Sequence, residues 1–270
     1  LGMPYIEPEL REDTGEIEAA LAGKLPKLME YGSLKGDLQI QTDWSDGNNT
    51  IEEMAREAKK QGLEYIVITD HTKDLAMTGG SDEKKLLRQM EEIDKVNTRL
   101  SGIRVLKGAE VNIRKDGTLD ITDEVLSKLD VVGASVHSNF KMTTSDMTER
   151  IVRAMRHPHV DVLFHPTGRS MPKRGEYNVD MDVILDEAQR TGTVLEINAQ
   201  PRRLDIKDVT VRKAVAKNVR MAIDSDAHSV GQLEFLKYGI AQARRGWAEA
   251  KDVVNTLPLE KCLKMFKNRG

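Results

Sequence analysis

The sequence predicts an α/β fold, a closed barrel of seven parallel strands alternating with helices. Three observations carry this. Seven short apolar runs rich in β-branched residues recur at 37–42, 64–69, 103–111, 130–136, 160–165, 193–198 and 219–224. Amphipathic patterns of helical period fall between them, which implies parallel strands joined by helical crossovers. Acids and histidines stand at the C-terminal ends of nearly all the strands. An open doubly wound sheet gathers its site at one switch point, whereas a barrel converges every strand end on one mouth.

In chain order, residues 1–33 are rich in Glu, Pro and Gly, with one short helical pattern at Ile17, Ala20, Leu21 and Leu25. They read as a linker or the tail of a preceding domain. The first strand ends in Gln39-Ile40-Gln41 and leads to Trp44-Ser45-Asp46. A helix over 51–62 follows. Its apolar residues Ile51, Met54, Ala55 and Ala58 repeat at i, i+3, i+4 and i+7, and Thr50 with Glu53 has capping-box spacing. The second strand ends in Asp70-His71, the third in Glu110, the fourth in His137 and the fifth in His165. The sixth leads to Arg202 and Arg203, and the seventh ends in Asp224-Ser225-Asp226-Ala227-His228. Further helices are expected over 82–100, 145–157, 180–191, 207–218 and 248–267.

Composition narrows the class. The 270 residues carry 41 basic and 44 acidic side chains, a net charge of −3. No apolar run approaches the ~20 residues a bilayer requires, and no signal-like apolar stretch opens the sequence. A single cysteine, Cys262, excludes an internal disulfide framework and a multi-cysteine zinc site. A cytoplasmic location is expected. A pI near 6.1 and 4% aromatic residues argue against broad coating of nucleic acid and against a base-stacking platform.

Four of the six histidines, with Asp46, Glu110 and Asp226, follow apolar strands. Imidazole and carboxylate together suit zinc, manganese or iron, and carboxylates gathered without a cation would repel one another. His157 and His159 flank Pro158 in a turn and read as structural, Cys262 as core, and Trp44 as wall packing. Arg169, Arg202, Arg203, Lys141 and Lys73 follow strand ends, where cationic side chains meet phosphate oxygens.

The stretches GDLQIQTDWSDG, ITDHT, GAEVNI, SVHS, FHPTGR and DSDAH together resemble the motif set of the polymerase-and-histidinol-phosphatase (PHP) superfamily. In detail they resemble the C-terminal PHP domain of bacterial and archaeal family X DNA polymerases. PYIEPELREDTGEIEAA is similar to the end of the polymerase region before that domain. The resemblance implies a distorted seven-stranded (β/α)7 TIM-like barrel over 34–270, with 1–33 as the tail of a polymerase domain.

It also implies up to three Mn²⁺ or Zn²⁺ ions. Gln39, Gln41, Glu110 and Asp226 would surround the first. Glu110, His137 and His165 would hold the second, and Asp46, His71 and His228 the third. Glu110, Asp226 and His165 would be catalytic. The superfamily's first motif is usually His-x-His, and here it is Gln39-Ile40-Gln41. An amide oxygen is the weaker ligand, so the first site is expected to be weak, manganese-selective or empty.

The implied activity is hydrolysis of phosphodiesters, as a 3′–5′ exonuclease and 3′-end processing enzyme in DNA repair. Its partners would be single-stranded DNA 3′ ends, with Arg169, Arg203 and Lys141 on the phosphates, and upstream polymerase domains of the same chain. Two other readings stand beside it. A histidinol-phosphatase-like phosphomonoesterase is opposed by the polymerase-like tail. A catalytically weakened PHP module supporting a polymerase is favoured by the glutamine pair and opposed by the other motifs.

Overall fold

The computed structural model describes residues 2–266. Within them, seven strands form one all-parallel sheet in sequential order: β1 (Gly36–Ile40), β2 (Tyr65–Ile68), β3 (Arg104–Asn112), β4 (Val131–Ser135), β5 (Val162–Leu163), β6 (Val194–Asn198) and β7 (Met221–Asp224). β7 comes back beside β1, so the barrel is nearly closed. The seam is not a continuous ladder. Leu38 N donates to Asp224 Oδ1 at 2.9 Å, Ser225 N to Asp37 Oδ1 at 3.1 Å, and Gln41 N to Ala227 O at 2.9 Å. Two buried carboxylates thus take backbone donors that would otherwise be orphaned.

Every strand or its end contributes to an apolar plug inside the barrel: Leu38, Tyr65, Val67, Leu106, Val131, Val162, Phe164, Val194 and Ala222, floored by Val254, Cys262 and Phe266. The alternate residues, such as Ile66, Ile68, Val132, Ala134, Leu195 and Ile197, face an outer apolar layer beneath the helices. Period-2 alternation accounts for this division. The plug occupies the lower half, so inward positions nearer the strand ends are left for polar residues. Gly133 makes room for Phe164, because a Cβ there would lie 1.8 Å from the ring.

β1 breaks the alternation. Its pairing with β2 shifts register between Asp37 and Ile40. Leu38 belongs to the inner plug and Ile40, two residues on, to the outer layer. The irregularity re-aims the strand, as a bulge does, and turns Gln39 and Gln41 into the mouth.

The helices are α1 (Glu16–Leu21), α2 (Ile51–Lys60), α3 (Glu83–Arg99), α4 (Asp123–Leu126), α5 (Thr144–Met155), α6 (Met181–Thr191), α7 (Asp208–Ala216), α8 (Leu236–Arg245) and α9 (Leu259–Leu263). On α2 the expected capping box forms and Ile51, Met54, Ala55 and Ala58 are buried. The expected helix over 248–267 does not form. It is broken into 3₁₀ turns at Ala250–Asp252 and Val254–Thr256 and the short α9. Pro258 disfavours helical geometry at Leu257, whose φ and ψ are −84° and 150°. Helix α8 has no counterpart among the elements read from the sequence. Leu236, Ile240 and Ala243 form its buried face.

The N-terminal stretch is fastened to α8. Arg244 Nε donates to Glu9 Oε1 and Nη1 to Met29 O, both at 2.7 Å, and Arg245 Nη1 meets Glu12 at 2.7 Å. On α1, Ala20 is buried while Ile17 and Leu21 are exposed. Among the described residues, no helix is long and apolar enough to cross a membrane.

Candidate metal centre

Glu110, fully buried near the end of β3, is the centre of the mouth. Its Oε1 lies 3.0 Å from His137 Nε2 and 2.8 Å from His165 Nε2. Its Oε2 accepts from Gln41 Nε2 at 2.9 Å and lies 3.3 Å from His71 Nδ1. His71 turns its other nitrogen, Nε2, toward Asp46 Oδ1 at 3.6 Å, and His228 Nε2 faces the same oxygen at 3.6 Å. On the β6–β7 side, Asp226 Oδ2 accepts from Asn198 Nδ2 at 3.2 Å and from Arg203 Nε at 3.1 Å. The same Asn198 amide donates to Gln39 Oε1 at 3.1 Å. His165 and Asp226 have positive φ, 30° and 52°. For residues other than glycine that costs on the order of 1–3 kcal/mol each, strain of a kind that gathers at functional sites.

The imidazoles are aimed by their neighbours. His137 Nδ1 lies 2.7 Å from Asn112 Oδ1. Asn112 Nδ2 donates to Asp120, which fixes the amide and leaves its oxygen for the ring. His137 Nδ1 therefore carries the proton and Nε2 offers its lone pair to the mouth. His228 is set the same way, with Nδ1 2.9 Å from the backbone oxygen of Asp226. His165 N donates to Glu196 Oε2 at 2.6 Å. Partners such as those of His137 and His228 fix ring orientation and tautomer in metal sites, whereas Glu196 holds the His165 backbone and not its ring.

Burial alone would raise the Glu110 carboxyl, but His71 and His137 hold it well below the usual range. Burial lowers His71, and burial with the nearby Arg203 charge lowers His165 to about 4. His165 is thus neutral at pH 7, the form that ligates metals. His228 differs: burial opposes its charge, yet the bond to Asp46 and the charge of Asp226 raise it to about 9.

The donor set can be tested against a cation. Two ligands at about 2.0–2.2 Å from one zinc ion, subtending roughly 90–110°, stand about 3.0–3.4 Å apart. Glu110 with its histidines, and Asp46 with His71 and His228, are spaced close to this. Asp46, His71 and His228 form one candidate group and His71, Glu110 and His137 another, with the ligand atoms of each within 4.8 Å of one another. His71 Nδ1 and His165 Nδ1, on rings beside Glu110, are buried without a hydrogen-bond partner, which suits a mouth built to take a further ligand. Both groups fit a divalent cation. The set around Asp226 does not: Gln41 turns its NH₂ toward Glu110, Gln39 turns its oxygen to Asn198, and Arg203 occupies Asp226.

All nine expected ligand residues line this one mouth. The expected phosphate contacts are scattered. Arg203 is in the mouth. Arg169 spends Nε on the backbone oxygen of Arg203. Lys141 stands exposed on the rim of a separate cavity of about 740 Å³, with Asn139, Arg150 and Arg153. Lys73 pairs with Glu83 at 2.7 Å, and His157 with Asp123 at 3.2 Å, both outside the cluster. Sequence reasoning missed Asn112, Asp120, Glu196 and Asn198. For Asn112, Glu196 and Asn198 the signal was polar residues at inward parity near strand ends; Asp120, on the loop after β3, carried none.

The family profile described as "PHP domain" matches residues 37–199. This chain belongs to the PHP family. That places it among metal-dependent phosphoesterases. It is 40% identical over 259 residues to the DNA polymerase/3′-5′ exonuclease PolX of Bacillus subtilis, a match covering 96% of this chain and 45% of that protein. This PHP chain thus spans a little under half of that relative's length. It is also 33% identical over 190 residues to a protein of Caldanaerobacter subterraneus named "Probable phosphatase", covering 67% of this chain and 70% of that one. Among solved structures, the histidinol phosphate phosphatase of Lactococcus lactis, complexed with zinc, L-histidinol and phosphate, superposes with a TM-score of 0.56 at 15% identity. It covers 80% of this chain and 95% of that one. That likeness is one of fold.

Proposed function

We propose that this PHP domain is a metal-dependent 3′–5′ exonuclease that trims single-stranded DNA 3′ ends in DNA repair. In this reading residues 1–33 are the tail of an upstream polymerase domain, 34–270 are the phosphoesterase, and the protein works in the cytoplasm. The carrying observation is Glu110, a buried carboxylate ringed by three imidazoles. The 40% identity to a polymerase/exonuclease supports DNA as substrate. Glu110, His137 and His165 would hold one Mn²⁺ or Zn²⁺, and Asp46, His71 and His228 another. When bound, such cations supply Lewis acidity to phosphoryl oxygens and lower the pKa of water.

The chain's own residues do the rest. Asn112 and the Asp226 carbonyl orient the His137 and His228 rings so that Nε2 of each faces the mouth. Glu110 holds the two groups at fixed separation. Arg203, at the inner wall, gives a fixed positive charge facing the phosphodiester. The apolar plug closes the floor, so substrate would reach the candidate ligands from the mouth.

The test is stepwise shortening of a 3′-labelled single strand by the protein in Mn²⁺, beside hydrolysis of histidinol phosphate. Shortening of the strand with slow turnover of the small ester is expected. Rapid turnover of the small ester and intact DNA would instead assign the chain to the phosphomonoesterases.

A further inference from the structure

We propose that the guanidinium of Arg203 takes the place of a metal ion beside Asp226, so that this chain's mouth holds two metals and not three. The inference rests on the metal-dependent reading above and concerns how many cations that site accepts. Asp226 is the only carboxylate of the first donor set that is not shared with another, and it is already bound. Its Oδ2 accepts from Arg203 Nε at 3.1 Å and from Asn198 Nδ2 at 3.2 Å. The pair is withdrawn from solvent, with side-chain exposures of 15% for Arg203 and 3% for Asp226. A guanidinium does not give up its proton, and a cation reaching Asp226 would leave that buried charge without its partner, which is costly.

Arg203 is aimed by its turn. Its N donates to Gln200 O at 2.7 Å, and its carbonyl accepts Arg169 Nε. The remaining donors point the same way. Gln39 and Gln41 are neutral amides, weaker toward transition metals than imidazole. Gln41 places its NH₂ against Glu110 at 2.9 Å, so donor hydrogens lie where a third cation would share that carboxylate. One negative charge at Asp226 is matched by one positive charge at Arg203, while Glu110 and Asp46 keep the imidazoles.

The experiment counts metal. Protein equilibrated with Mn²⁺, and separately with Zn²⁺, is dialysed and assayed by elemental analysis for the native chain, the Gln39→His/Gln41→His double variant, and that double variant with Arg203→Met. Two equivalents are expected for the native chain and for the double variant, and three once Arg203 is also replaced. Three equivalents in either of the first two proteins would overturn the proposal, as would two in the triple variant with a native melting profile. If the triple variant does not fold, the first two counts still decide. One equivalent in the native chain would also overturn the count of two, and no bound metal is a separate result, which removes the metal-dependent reading itself.

Discussion

His71 Nδ1 lies 3.3 Å from Glu110 Oε2, and the opposite nitrogen of the same ring faces Asp46. One imidazole therefore connects the two candidate metal groups, and neither group is independent of the other. Charge placed on Glu110 is felt by His71, and through it by the outer group that includes His228.

Glu110→Ala is accordingly expected to remove more than one metal equivalent and to abolish hydrolysis. Elemental analysis of the dialysed variant, with a nuclease assay, checks this. Full metal content and activity would show that Glu110 is not the shared ligand.

Asn112→Ala releases the His137 ring from its only oriented tautomer. Metal affinity of the Glu110 group should fall about 10- to 100-fold, the usual effect of losing an outer partner. A chelator-competition titration reads it. The Asp46 group should change less, because His228 is set by the Asp226 backbone instead. Equal weakening of both groups would contradict this division.

Gly133→Ala tests the plug. A Cβ there would sit 1.8 Å from the Phe164 ring, and overpacking of this kind costs about 1–3 kcal/mol or more. Urea denaturation should show the loss, and Phe164→Leu in the same chain should recover part of it, since the two side chains share one space. A loss unchanged by Phe164→Leu would mean the clash is relieved elsewhere.

Glu187 supplies a pH test remote from the mouth. Burial would raise its carboxyl, but hydrogen bonds from Arg190 and Arg156 outweigh burial and lower it to about 2, from 4.5. A depressed folded-state pKa contributes stability above pH 4.5, lost as pH falls through 2. Both arginines are largely exposed, so solvent screening reduces the effect to about 1–2 kcal/mol. Glu187→Gln should lower stability by that amount at pH 7 and by nothing below pH 2. A pH-independent difference would assign the loss to packing.

Much of the fold was legible because strand and helix write different periods. The ligand histidines were legible because charged and imidazole side chains rarely follow apolar strands without a reason. What was not legible depends on closure. Asn198 reads as an ordinary polar strand residue until β6 and β7 bring it between Gln39 and Asp226. The pairing of Arg203 with Asp226 joins residues 23 positions apart, and no local pattern announces it. Helix α8 escaped notice because a 3₁₀ turn, Val230–Phe235, runs directly into it and Gly239 interrupts its apolar stripe. The closing helix was over-read because its charges and leucines keep a helical period through Pro258.

The register shift in β1 has a consequence for how this chain can change. A substitution alters what a position carries, while an insertion or deletion alters which way every later position in the strand looks. A bulge is the exception: removing Gln39, the residue between Leu38 and Ile40, would return β1 to plain alternation with Ile40 still under the helices and Gln41 still in the mouth. The mouth would then lose one amide, the Gln39 oxygen that Asn198 holds, and keep Gln41 on Glu110. The extra residue is what lets β1 place two amides in the mouth rather than one.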